Sequence, residues 1–162
     1  MLLLDTHVVS ELRKVESGKA DAQVAAWQAQ VERAACFVSA ITLMELEIGV
    51  LRLERRDARQ GALLRTWLET RVWPEFAGRV LALDAEVARC CARLHIHDPR
   101  AERDAIIAAT ARVHGMTVVT RNTADFAALG VTLINPWQSP AVHEPRAVYS
   151  ARKGKLRRTP GK

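Results

Sequence analysis

The sequence predicts an α/β fold in which a parallel sheet of four to five strands carries helices on both faces, a three-layer arrangement. Three observations lead there. Short apolar or β-branched runs recur along the chain, beginning with Leu2-Leu3-Leu4. Segments with apolar residues at helical spacing separate them. Strands that alternate with one or two helices pair in parallel and are covered on both faces.

Leu2-Leu3-Leu4 ends at Asp5 and reads as a buried first strand, and Thr6 to about Lys14 reads as a short helix punctuated by Gly18-Lys19. Val24, Trp27 and Val31 repeat at helical spacing within 20–33, a second helix. Cys36-Phe37-Val38 is the second strand. Ser39 stands where an N-cap belongs, and Leu43, Leu46, Val50 and Leu53 follow on one helical face until Arg55-Arg56-Asp57 breaks it. Leu63, Leu64, Trp67, Leu68 and Val72 mark the next helix, which stops near Pro74. Residues 79–83 form the third strand, and Asp84 caps a helix running through Val87, Cys91 and Leu94. After a connection over 95–100, residues 102–114 form a helix with Ile106, Thr110 and Val113 on one face and Gly115 at its end. Residues 117–120 give a fourth strand and 131–134 a weaker fifth.

The 162 residues are 49% hydrophobic and 26% charged, which suits one globular domain with a real core. No stretch reaches the roughly 18 uncharged apolar residues of a membrane span, and Asp5 interrupts the N-terminal apolar run too early for a signal peptide. Three cysteines without a CxxC pattern indicate free thiols and a cytoplasmic chain. The net charge of +6 has one source: residues 139–162 hold seven basic residues and one acid, while residues 1–138 hold 17 of each sign. That tail also holds three of the six prolines and few large apolar residues, so it is read as a basic, disordered extension able to meet phosphates.

Right-handed crossovers put the carboxyl ends of all parallel strands on one edge, where such folds place their sites. Asp5 ends the first strand there. Asp125 follows the fourth strand on the same edge, and Asp104 lies in the first turn of the helix that feeds that strand. Glu45 lies about two turns into the helix after the second strand, with Glu47 equally placed by spacing. Packed carboxylates repel unless protons or cations neutralise them, and hard oxygen donors suit Mg²⁺ or Mn²⁺. Such ions serve phosphodiester hydrolysis. Each acid also has a plain structural reading: a helix cap for Asp5, a dipole partner for Asp104, a solvated helix residue for Glu45 and a turn residue for Asp125.

The segments Leu3-Leu4-Asp5-Thr6-His7-Val8-Val9-Ser10-Glu11-Leu12, Ser39-Ala40-Ile41-Thr42-Leu43-Met44-Glu45-Leu46-Glu47-Ile48-Gly49, Asp104-Ala105-Ile106-Ile107-Ala108-Ala109-Thr110-Ala111 and Val119-Thr120-Arg121-Asn122-Thr123-Ala124-Asp125-Phe126 resemble the PIN-domain ribonucleases. Within these they are most similar to the VapC toxins of type II toxin–antitoxin pairs, in the FitB-like branch. Gly130-Val131 and Asn135-Pro136-Trp137 resemble the family's ending, so the resemblance spans residues 1–138 and leaves 139–162 outside. It implies a Mg²⁺-dependent endoribonuclease toxin in which Asp5, Glu45, Asp104 and Asp125 hold the ion, with Mn²⁺ able to substitute. It selects Glu45 over Glu47 and gives Thr6, Thr120 and Asn122 supporting roles. It also implies a homodimer, neutralisation by a cognate antitoxin, and binding of operator DNA through that antitoxin. His7 departs from the family's usual asparagine and introduces a pH-sensitive group beside the acids.

The alternative within the same fold is a non-catalytic RNA- or protein-binding PIN module, against which the presence of all four acids counts. A receiver-type phosphoacceptor needs a late lysine, yet before the tail only Lys14 and Lys19 occur. A haloacid-dehalogenase-type phosphatase needs an aspartate where His7 stands. His95-x-His97-Asp98 reads as surface rather than a soft-metal site. Arg13, Arg52, Arg55, Arg56 and Arg59 could rim the cleft, whereas Trp27 and Trp67 read as core or interface.

Overall fold

A computed structural model describes residues 1–96 and 102–138. The five strands β1 (Leu2–Leu4), β2 (Cys36–Ser39), β3 (Val80–Leu81), β4 (Thr117–Val119) and β5 (Leu133–Ile134) form one sheet in the order β3-β2-β1-β4-β5. Every pairing is parallel, with Leu3 opposite Phe37 on one side and Val118 on the other. The first strand in sequence is therefore the middle strand of the sheet.

The helices are α1 (Thr6–Leu12), α2 (Ala22–Gln30), α3 (Ala40–Arg56), α4 (Ala58–Trp67), α5 (Trp73–Glu75), α6 (Ala85–Leu94), α7 (Glu102–Val113) and α8 (Thr123–Phe126). Side-chain alternation along the strands divides the core between two faces. On one face Leu4, Val38 and Val119 pack with Val8, Leu46, Val50, Leu68 and Val72, drawn from α1, α3 and the turn after α4. On the other, Leu3 and Val118 pack with Ile107, Ala108 and Ala111 of α7 and Phe126 of α8. Val87, Cys90 and Cys91 of α6 extend that side against Ala105 and Ala109. Cys36, Cys90 and Cys91 are free and buried.

Several elements differ from the sequence reading. The second helix is shorter at both ends, because Asp21 caps it through the Gln23 and Val24 amides and Val31 turns extended. The third strand shrinks to two residues because its only partner, β2, ends at Ser39, whose hydroxyl turns to cap α3 at the Thr42 amide. The fifth strand likewise starts at Leu133. In the α4 region the chain passes through a π-helical turn over Leu68–Val72. Leu68 and Val72 at its two ends are in the core, whereas Leu63, about 100° round α4 from Leu64, is exposed. Pro74 sits inside the one-turn α5 rather than beyond the helix. Helix α7 is buried almost all round, so Ile106 and Val113 are its half-buried flank rather than its core face. Gly115 ends it at φ 62°, as its position predicts.

Candidate active site

Asp5 leaves β1 at the carboxyl edge and turns at once into α1. Its Oδ1 accepts the Thr6 amide at 2.7 Å, so the helix-cap reading is correct for one oxygen. The other oxygen has a different use. Thr120, fully buried at the end of β4, donates its hydroxyl to Asp5 Oδ2 at 2.8 Å. The same Thr120 oxygen accepts the Asn122 amide at 3.0 Å, and the Asn122 side-chain amide donates to Asp125 Oδ2 in α8. A chain of hydrogen bonds thus joins the ends of the two central strands and links two of the acids.

Helix α3 delivers the third acid. Thr42 Oγ1 reaches the Leu4 carbonyl at 3.3 Å and ties the first turn of α3 to β1. One turn later, Glu45 Oε2 accepts the Thr6 hydroxyl and Oε1 meets Arg103 Nη1 at 3.2 Å. Glu47 points elsewhere: Arg65 of α4 binds it at 2.5 Å and holds Glu54 as well. Of the two glutamates left open on spacing, these partners place Glu45 beside Asp5 and hold Glu47 away from it.

Asp104 is half-buried at the start of α7. Burial is the main force raising its pKa above the ordinary carboxyl range, and the charges of Asp5, Asp125 and Glu45 add to it; His7 opposes them. Asp5, Asp125 and Glu45 are each close enough to act on Asp104. His7 lies at the rim, largely exposed, with Nδ1 3.5 Å from Asp5 Oδ2.

Among the described residues, no three acidic, histidine or cysteine side chains enclose a cation unaided. That is compatible with Mg²⁺, which is usually held by one or two carboxylates together with waters and substrate phosphates. The donors are all hard oxygens, and a dication would offset the burial and the neighbouring charges that together raise Asp104. The residues present fit the ion.

Other candidates fall away from this edge. Arg13 stacks over Trp67 at 5.7 Å, and with Trp27 the two line a separate cavity of about 190 Å³ beside α1 that none of the four acids enters. No hydrogen bond or ion pair joins Arg52, Arg55, Arg56 or Arg59 to the acids among the described residues. His95 follows α6, while His97, Asp98 and the tail over 139–162 lie outside the described residues. Sequence reasoning missed Arg103 and Thr42. Arg103 carried one signal: a cation in the first turn of a helix opposes the macrodipole.

The chain has relatives of known family and structure. Residues 2–131 match the PIN domain family. The chain is 38% identical to the VapC ribonuclease Y4jK of Sinorhizobium fredii over 85% of its length and 99% of that protein. It is 37% identical to the toxin FitB of Neisseria gonorrhoeae, again over 85% of this chain and 99% of that one. The crystal structure of FitAcB from Neisseria gonorrhoeae superposes with a TM-score of 0.78 at 36% identity, covering 86% of this chain and 100% of that one. A structure of FitAB bound to an IR36 DNA fragment gives the same TM-score at 35% identity, over 88% and 100%. The chain accordingly belongs to the PIN-domain family, as a homologue of the VapC and FitB toxins.

Proposed function

We propose that this protein is a Mg²⁺-dependent endoribonuclease that acts as the toxin of a toxin–antitoxin pair in the cytoplasm, with Mn²⁺ able to replace Mg²⁺. The observation that carries the reading is the hydrogen-bonded linkage of Asp5 to Glu45 through Thr6 and of Asp5 to Asp125 through Thr120 and Asn122, at the sheet edge where Asp104 begins α7. Acids that repel one another carry a cost that a bound cation would offset. When bound, Mg²⁺ supplies Lewis-acid activation of water and charge neutralisation at the phosphate.

The chain's own residues prepare that chemistry. Thr120 and the Thr6 amide hold Asp5 from both sides, so its carboxylate presents a fixed face to the cleft. Thr6 and Arg103 do the same for Glu45, one on each oxygen. Asn122 orients Asp125. Preorganised acids spare the reaction the reorganisation that mobile side chains would require.

The names of the relatives support a partner as well. A cognate antitoxin would neutralise the site, and the complex would reach operator DNA through that antitoxin, on a homodimer of this chain. Among the described residues no helix is long and apolar enough to cross a membrane.

Cleavage of single-stranded RNA tests the reading. Wild type should cut with Mg²⁺ and stop with EDTA. Asp5→Asn and Asp104→Asn should each abolish cutting while keeping the wild-type circular dichroism. Near-wild-type cleavage by either variant would show that the acids are structural.

A further inference from the structure

We propose that Arg103 is a substrate-positioning residue that grips an RNA phosphate beside the reacting one; this rests on the nuclease reading above. Arg103 precedes Asp104 on α7, and its guanidinium meets Glu45 Oε1 at 3.2 Å. Its side chain is 48% exposed, against 21% for Glu45. Of the five N–H donors of a guanidinium, one is engaged by this contact, and no other protein acceptor takes the rest among the described residues.

Helix stability does not account for the placement. A positive charge in a first turn is disfavoured by the dipole, and an ion pair this exposed contributes little. The charge of the site does account for it. Four carboxylates meet there, so an approaching phosphodiester anion is repelled, and one dication leaves the cluster negative. Among the described residues, Arg103 is the one arginine or lysine ion-paired with any of these acids. A guanidinium fork suits the two non-bridging oxygens of a phosphate, and its planar donors can hold Glu45 with one edge and the phosphate with another. Anchored on Glu45, Arg103 would therefore fix the RNA backbone relative to an acid of the site.

The test uses the full chain and a labelled mixed-sequence single-stranded RNA oligonucleotide. Steady-state cleavage with Mg²⁺ is compared for wild type, Arg103→Ala and Arg103→Lys, and RNA affinity is measured across salt in the uncutting Asp5→Asn background. Arg103→Ala should raise KM about tenfold, the size of one lost contact of about 1.4 kcal/mol, with kcat changed far less. It should also flatten the slope of log affinity against log salt by about 0.7, one phosphate contact on a single strand. Arg103→Lys should keep the wild-type slope and recover part of the affinity.

The proposal is overturned if Arg103→Ala leaves KM and the salt slope at wild-type values, including the case where only kcat falls, which would make Arg103 a prop for Glu45. Should Arg103→Ala misfold, the lysine variant decides: a wild-type slope with raised KM supports the grip, and wild-type KM refutes it. Wild type that neither binds nor cuts RNA would defeat the nuclease reading itself and this proposal with it. Cutting by wild type and an indifferent Arg103→Ala would defeat this proposal alone.

Discussion

Replacing Thr120 with valine isolates one hydrogen bond on which both the fold and the site depend. Valine matches threonine in shape, so the fully buried position keeps its packing and no cavity opens. What disappears is the 2.8 Å hydroxyl donation to Asp5 Oδ2. A hydrogen bond to an ionised group contributes about 1.5–3 kcal/mol, more than a neutral one, because the partner left behind is a charge with little access to water. The Asn122 amide also loses its acceptor, but that residue is exposed and water can replace it. Thr120→Val should then lose about 1.5–3 kcal/mol in urea unfolding with an unchanged m-value. For a chain of this size that is a fall in Tm of roughly 3–12 °C. In an Asp5→Asn background the penalty should shrink to the roughly 0.5–1.5 kcal/mol of a neutral bond. RNA cleavage should fall as well, since Asp5 loses one of its two anchors. A single variant within about 0.5 kcal/mol of wild type would refute the reasoning.

Further outcomes follow from the same geometry. In metal-free protein Asp104→Asn should raise stability at neutral pH, because the raised pKa means that the native state pays for the charge. The native carboxyl holds its proton more tightly than the unfolded one, so wild-type stability should improve as pH falls from above the native pKa towards the unfolded value of about 3.9, and the variant's advantage should vanish there. Thermal denaturation across pH checks both parts. Saturating Mg²⁺ should raise the wild-type Tm and leave Asp104→Asn less affected, the gain reaching about 2.7 kcal/mol at a hundredfold excess over Kd. Gly61→Ala should destabilise by about 1–3 kcal/mol, since its methyl would stand 2.5 Å from the Glu54 backbone where α4 crosses α3. Gly49→Ala, with open space around it in α3, should instead stabilise by roughly 0.5–1 kcal/mol, and chemical denaturation distinguishes the two. Truncation after Pro140 should weaken RNA binding and flatten its salt dependence without changing kcat, read by the same salt titration.

The sheet and the acids were legible in the sequence because local signals and topology agree there. Asp5 ends an apolar run, Ser39 caps a periodic helix, and parallel pairing carries both to one edge. Strand limits were less legible: β3 stops where β2 stops and no local residue announces it, and β5 ends at Ile134 as read but starts two residues late. The π-helical turn over Leu68–Val72 shifts the helical phase by a residue that no spacing rule supplies, and Leu63, adjacent in sequence to the inward Leu64, lies outside. Glu45 and Glu47 are told apart by Arg65, a residue 18 positions beyond Glu47 on another helix. Arg103 was overlooked for a related reason: its meaning comes from Glu45, 58 residues earlier.

The contact between Thr120 and Asp5 also sets a schedule. It spans 115 residues, and β1 pairs with β4 across the same interval. A chain leaving the ribosome at about 5–20 residues per second carries Asp5 for several seconds before Thr120 exists to hold it. During that time the central strand lacks one of its two neighbours, and Asp104 and Asp125 are missing or unplaced. A chain stopped short of β4 lacks Thr120 and Asp125 and cannot assemble the acid cluster, however complete its first half. On the toxin reading proposed above, the middle position of the first strand would act as a safeguard: the site is completed only with the last third of the fold, and a partner able to capture the finished surface has until then to arrive.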